Sequence, residues 1–291
     1  MTMNFLTYFK EKAKKFERII GIGLSNDIEI TENIIQIAKK IVKSTKNEVL
    51  LVGDHSTIDV IKKKKQKLNK NIKFIASSEP ANFLAHQLFQ EHSLDAIIRG
   101  GLSSSEFIKK IKNFGKYEKI NRLALLETNT GKQFFFAGVG IDEINNFEQK
   151  FELMQNSIVF LNKIGITPKI GILSGGRNSD LGRDSWIDEN IKSSIRLEEK
   201  LIELYPNITI KHYQILIEAA ISDNVNLILA PEGIAGNLIY RTLVHLGGGR
   251  SYGAIYLKSY NNNKIIIDCS RIAPKFEIEG AFYFALGVQS E

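Results

Sequence analysis

Pro231-Glu-Gly-Ile-Ala-Gly236-Asn237-Leu-Ile-Tyr240-Arg241 is the stretch on which the reading of this chain turns. A strand-like apolar run, Asn226 to Ala230, leads into it, and Leu238, Ile239, Leu243 and Val244 continue as one apolar helical face. Strand, glycine-bearing turn and helix in that order are the repeating unit of an open α/β sheet, whose ligands sit outside the carboxyl ends of the strands. Downstream, a second strand-like run from Lys264 to Asp268 ends on Cys269-Ser270-Arg271. Amides at a helix start and a guanidinium fork suit a phosphate or diphosphate group, so anionic small molecules are the expected partners.

Working outward, short apolar runs alternate with longer amphipathic stretches along most of the chain, which predicts parallel sheets covered by helices. Strands are expected at Arg18 to Ile22, Glu48 to Val52, Ile72 to Ala76, Asp95 to Ile98 and Arg122 to Leu126. Between them, Thr31 to Lys43 carries a broad apolar helical face, and Ala81 to Gln90 follows Pro80 at a helix start. After Glu127 an aromatic run, Gln133 to Val139, precedes a long helix from Glu143 to Lys163. Further strands are expected at Lys169 to Leu173, around Thr209, at Leu227 to Ala230, Ala254 to Leu257 and Ile265 to Ile267, with a last helix from Phe276 to Leu286.

The 291 residues are enough for two domains. A hydrophobic fraction of 43% with 24% charged residues is that of an ordinary globular protein. One cysteine, Cys269, leaves no disulfide framework and no cysteine-rich metal site, and a cytoplasmic location is expected. No apolar run approaches the roughly 18 residues of a membrane span, so no membrane association is expected. The net charge of +7 is concentrated in Lys62-Lys63-Lys64-Lys65-Gln66-Lys67. That run reads as a solvated helix end without interleaved aromatics, and nucleic acid is not expected as a partner.

Asp95-Ala-Ile-Ile-Arg99-Gly100-Gly101-Leu-Ser103-Ser104-Ser105-Glu-Phe107 joins a strand to a helix start. Together with Lys163-Ile-Gly165-Ile-Thr-Pro168, with the glycine-asparagine helix ending in Leu246-Gly247-Gly248, and with Ser270-Arg271, it resembles the phosphate acetyl/butyryl transferase family over roughly residues 85 to 288. Ser174-Gly-Gly-Arg177-Asn-Ser-Asp180-Leu-Gly182-Arg183-Asp184 makes the chain most similar, within that family, to an archaeal methanogenesis marker group described as methyltransferase-related. The resemblance implies two doubly wound α/β/α domains, Rossmann-like and isocitrate-dehydrogenase-like, with an interdomain cleft. It implies a discontinuous domain of residues 1–127 plus 260–291 and an inserted domain of residues 128–259. It also implies acyl transfer between a CoA-type thioester and phosphate, or else a methyl-related or non-catalytic coenzyme- or pterin-binding factor.

Residue by residue, the resemblance makes Ser270, Arg271 and Glu277 the catalytic candidates. Ser270 would donate to an oxyanion, Arg271 would neutralise phosphate, and Glu277 would serve as base. Arg99, Gly100, Gly101, Ser103, Ser104 and Ser105 become phosphate or substrate contacts, although a plain strand-to-helix turn capped by Ser104 or Ser105 reads equally from the letters. Gly236, Asn237 and Arg241 become coenzyme contacts, with a packing glycine as the alternative for Gly236. Arg177 and Arg183 lie in a polar loop after a strand and suit a diphosphate. Asp180, Asp184 and Asp188 could hold Mg²⁺ through water, but a helix-start acidic face explains the latter two, and neither a metal nor a covalently bound cofactor is expected. CoA or an acyl-CoA is the expected substrate. Lys109 and Lys110 stand where the acetyl branch has an arginine. The aromatic C-terminal helix, with Phe282, Tyr283 and Phe284, suggests a homodimer, as the resemblance does.

Overall fold

The computed structural model describes residues 4–64 and 69–288. Lys65, Gln66 and Lys67 of the basic run lie outside the described residues. In chain order the elements are α1 (Phe5–Ala13), β1 (Ile19–Gly23), α2 (Ile28–Ser44), β2 (Glu48–Gly53), α3 (His55–Lys63), β3 (Ile72–Ala76), α4 (Pro80–Phe89), β4 (Ala96–Ile98), α5 (Ser104–Gly115), β5 (Arg122–Glu127) and β6 (Gln133–Ala137). They continue with α6 (Phe147–Lys163), β7 (Lys169–Leu173), α7 (Ser185–Leu204), β8 (Thr209–Gln214), α8 (Ile217–Ser222), β9 (Leu227–Leu229), α9 (Gly233–His245), β10 (Arg250–Tyr256), α10 (Leu257–Asn261), β11 (Ile265–Asp268) and α11 (Lys275–Gly287).

The chain divides into two compact units. One comprises Phe5–Ile120 and the chain from Ser251 to Val288. Its strands run in the order β3-β2-β1-β4-β11-β10, and all pairings are parallel except β10 with β11. β1, β2, β4 and β11 are near-continuous apolar runs, as expected when both faces of a parallel sheet are covered. Ile20, Ile22, Leu51, Ile97, Ile98 and Ile266 are fully buried. α4 and α5 pack together, and α1 and α2 pack on α11. α2 starts at Asp27, whose carboxylate accepts from the Glu29 and Ile30 amides, and it buries Ile34, Ile35, Ile37, Ala38, Ile41 and Val42.

The second unit is Asn121–Arg250 together with Asn4, with strand order β5-β6-β9-β7-β8. β5 and β6 are antiparallel; β6, β9, β7 and β8 are parallel neighbours. Phe134, Phe135 and Phe136 are all buried in its core, with Phe135 edge-on to Phe160 at 5.8 Å.

Several expectations need correcting. The division falls at Ile120/Asn121 and Arg250/Ser251, not at 127/128 and 259/260, because β5 pairs with β6 and so belongs with the unit it opens. The long helix starts at Phe147 and not at Glu143: Asn146 accepts from the Gln149 amide at 3.0 Å, while Glu143 is buried in an ion pair with Arg122 at 2.8 Å. The C-terminal helix offers no outward aromatic face. Phe282, Tyr283 and Phe284 are buried inside their own unit, and the Phe284 ring lies 4.8 Å from that of Phe9 on α1. No helix among the described residues is long and apolar enough to cross a membrane.

Candidate functional site

In the unit that begins with α1, the chain leaves β1 toward β2 on one side and returns through β4 on the other, which creates a topological switch point. β11 lies beside β4 in the same direction, so the turns after β4 and β11 emerge on one edge. The Arg99 amide donates to the Ile267 carbonyl at 3.0 Å, and the Cys269 thiol lies 3.7 Å from the Gly100 carbonyl. Two of the expected site segments, the glycine-serine turn and Ser270-Arg271, are therefore neighbours.

Gly100 adopts φ +60°, and a Cβ there would lie 2.1 Å from the Gly23 carbonyl oxygen. A Cβ on Gly101 would meet Ser25 at 2.4 Å. Both glycines are thus required by the pressing of this turn onto the loop after β1. The cap position of α5 is Ser103, not Ser104 or Ser105. Its hydroxyl bonds to the Ser105 hydroxyl at 3.1 Å and to no helix amide, so the first-turn N–H groups keep their donors for another acceptor.

Arg99 does not stand ready for phosphate. It is buried, with its Nε bonded to Asp268, Nη1 donating to the Leu102 carbonyl at 2.7 Å and Nη2 donating to the Cys269 carbonyl. Burial lowers its pKa, but Asp268 and the other groups around it more than reverse that and hold the guanidinium charged. Tyr256 Oη donates to the other Asp268 oxygen at 3.2 Å. Arg99 therefore ties the turn after β4 to the end of β11. Burial pushes the Cys269 thiol up to about 12, so it is no thiolate nucleophile at neutral pH.

Ser270 is half-buried and its amide donates to Glu277 Oε1 at 2.8 Å. Glu277, in the first turn of α11, is fully buried, and its Oε2 has no hydrogen-bond partner. Burial, with the Asp268 charge, raises its carboxyl to about 7 against the opposing pull of the Ser270 amide, the Arg99 charge and the Ser251 hydroxyl. Arg271 is exposed, and among the described residues no hydrogen bond or ion pair holds its guanidinium. A free guanidinium, a hydroxyl and a carboxyl poised near neutrality thus occupy one short loop and the helix it enters. Groups of these three kinds are chemically capable of anion binding, hydrogen-bond donation and proton exchange.

In the Asn121–Arg250 unit the expected residues fare differently. A Cβ on Gly236 would lie 2.0 Å from the Gly138 carbonyl oxygen, so this glycine serves close packing of α9 on the loop after β6. Gly236→Ala is expected to cost about 1–3 kcal/mol in urea unfolding, since backbone must move to admit the methyl. Asn237 Nδ2 donates to the Val139 carbonyl at 3.0 Å, fixing the same contact. Arg241 is exposed on α9. Arg183 is paired with Asp180 at 2.7 Å, whereas the Arg177 guanidinium is exposed and unpaired. Asp184 caps α7 through the Trp186 and Ile187 amides, and Asp188 accepts from the Gly182 amide at 2.8 Å. The three aspartates are occupied in shaping the loop. Lys110 is paired with Glu79 at 3.0 Å.

One cluster was not anticipated. Lys150, in the second turn of α6, is buried, and His212 Nε2 lies 2.8 Å from the buried Ser174 hydroxyl. The letters held a signal: Lys150 shares the helical face of Leu153, Met154, Ile158 and Leu161, an apolar stripe that carries a lysine.

No family model matches the chain. It is 38% identical over 229 residues to a protein of Methanosarcina barkeri named "Putative methyltransferase mtx subunit X", covering 79% of each chain. Among solved structures it superposes on a phosphotransacetylase from Streptococcus pyogenes with a TM-score of 0.71 at 16% identity, covering 99% of this chain and 98% of that one. The EutD phosphotransacetylase from Staphylococcus aureus gives a TM-score of 0.70 at 15% identity, covering 97% of each. At such identities the likeness is one of fold.

Proposed function

The chain belongs to the family of the Methanosarcina mtx subunit X proteins, and from that premise we propose that it has kept a phosphate-acyltransferase-like site at Ser270, Arg271 and Glu277. The observation that carries this reading is the buried Glu277 carboxyl, raised to about 7, bonded to the amide of Ser270 beside an unpaired Arg271. In acyl transfer a phosphate oxygen attacks the thioester carbonyl, the C–O bond forms, the C–S bond breaks, and the thiolate leaves and is protonated. Arg271 would hold the phosphate and Ser270 would donate to the tetrahedral oxyanion. Glu277, buried behind Ser270, would act by way of the Ser270 hydroxyl, taking the proton of the attacking hydrogen phosphate through it and returning it to the departing sulfur. Around it, Arg99 acts as a positioning residue, since its bonds to Asp268 and the Cys269 carbonyl fix the loop that bears the site. CoA thioesters are the substrate class proposed, and a cytoplasmic homodimer is the proposed context.

The test is thiol release from acetyl-CoA or butyryl-CoA in the presence of phosphate. Turnover is expected, with a fall of about 10²-fold in Arg271→Ala, the size typical for removing one donor to a developing charge. No turnover with either thioester, together with unchanged phosphate binding by Arg271→Ala, would refute the reading.

The relatives' own name favours a second reading, a methyl-group-related factor that binds a coenzyme or pterin without acyl chemistry. The lysine pair at the acetyl branch's arginine position adds to it, because Lys110 is engaged with Glu79 and cannot make the planar phosphate fork. Stabilisation of the purified chain by a pterin, without thioester turnover, would decide for it.

A further inference from the structure

Lys150 has an ammonium without a direct partner. The residue is 4% exposed, and among the described residues its ammonium makes no hydrogen bond and no ion pair within 4 Å. Its surroundings explain why the charge is unmatched. Glu232 and Glu189 are within electrostatic reach, but both oxygens of Glu232 are committed to α9, accepting from the Ile234 and Ala235 amides at 2.6 Å each. Glu189 is exposed to solvent. Glu198 takes the His212 amide at 2.7 Å, and His212 in turn engages the Ser174 hydroxyl.

The position is on the edge where parallel α/β sheets hold their ligands. α6 leads into β7, so its first turns lie at the carboxyl edge of the parallel strands. On that edge the chain after β7 runs Ser174-Gly175-Gly176-Arg177, and Asn190 ties it to the turn after β9 by accepting from the Gly175 amide at 2.7 Å and donating to the Pro231 carbonyl at 3.3 Å. A buried ammonium is costly unless an anion meets it, and here the protein supplies none at contact distance.

We propose that Lys150, with the Ser174-to-Arg177 turn beside it, forms a second anion site, within the Asn121–Arg250 unit, for the phosphate or carboxylate group of a small molecule. Burial draws the Lys150 amine down to about 8, and burial, helped by the nearby ammonium and opposed by Glu198, keeps His212 below its ordinary range, which favours its neutral form beside Lys150. Arg177, exposed and unpaired on the same turn, supplies a second positive group.

The experiment follows melting temperature of the full chain in sodium chloride, inorganic phosphate and acetate at equal ionic strength. Wild type is expected to melt higher in phosphate or acetate than in chloride, and the comparison of the two assigns the group. Lys150→Met is expected to melt no lower than wild type in chloride and to lose the anion-specific rise. Arg271→Ala is expected to retain the Lys150-dependent part, which separates this site from the one at Ser270. A Lys150→Met protein that melts lower in chloride yet keeps the full rise would make Lys150 a packing residue and overturn the proposal, as would loss of the whole rise in Arg271→Ala. Wild type gives the same answer without a variant: at pH 7 most of Lys150 is still charged while its lowered value leaves it a larger reactive neutral fraction than an ordinary lysine, so acetic anhydride should acetylate it and the anion that stabilises should protect it. A Lys150 that does not react, or reacts equally in all three salts, also overturns the proposal.

Discussion

Arg99→Met is expected to lower the unfolding free energy of its unit by about 3–5 kcal/mol, the cost of removing one partner from a buried ion pair. The side chains of Arg99 and Asp268 are 7% and 9% exposed, so solvent cannot take over from the lost guanidinium, and Asp268 would stay as a buried anion. The loss also leaves the Leu102 and Cys269 carbonyls without their donors. Arg99→Met combined with Asp268→Asn should recover a large part of the stability, because the orphaned charge goes with its partner. Urea unfolding followed by circular dichroism measures this. The single tryptophan, Trp186, lies in the other unit, so its fluorescence reports a transition that should move far less. A change under about 1 kcal/mol would mean that the pair is not buried as described.

Glu277→Gln should stabilise the protein at pH 8 by about 3 kcal/mol and abolish the pH dependence that this carboxyl contributes. The folded-state value, about 7, lies above the ordinary 4.5. The folded protein therefore binds this proton more tightly than the unfolded chain, and stability from this group is fully present below about 4.5 and lost as pH rises to about 7. Above 7 the folded state bears an ionised carboxylate with one oxygen unpartnered, a penalty that the neutral amide avoids. Gln keeps an acceptor for the Ser270 amide. Melting curves of both proteins from pH 5 to 8 measure the difference, which should grow with pH. If acyl transfer is the activity, the same variant loses turnover while gaining stability, a combination that a merely structural carboxyl would not give. Parallel curves at every pH would refute the prediction.

Strands such as β1, β2, β4, β7, β9 and β11 were legible because each is a short run dense in isoleucine, leucine and valine between turn residues, β6 because it is an aromatic run, and α2 because its apolar residues recur at helical spacing. α1 was not. Its buried residues are Phe5, Phe9 and Ala13, a stripe one residue wide with lysines at 10 and 12. Phe282 to Phe284 were read as a surface because letters cannot tell an apolar helix that covers its own sheet from one that covers a partner's. At the candidate site, the glycines and Ser270-Arg271 were visible as a pattern, but what each residue spends its bonds on was not. Arg99 and Arg271 are the same letter beside the same edge. One is consumed by Asp268 and the other is free, and only the register of β4 against β11 decides which.

The placement of β11 between β4 and β10 has a consequence for biosynthesis. When the ribosome has made residue 250, every strand from β5 to β9 exists, and the Asn121–Arg250 unit can close while still tethered. The strands made before it cannot do the same. β4 presents a bare flank until Ile265–Asp268 emerges, and the nascent amino-terminal half waits with its last inner strand missing. At about 5–20 residues per second, that interval lasts on the order of ten seconds or more. An unfilled strand position held open that long is a docking point for any other extended chain. Stalling translation just short of β11 should therefore yield a chain whose central unit resists protease while the sequence before it is digested.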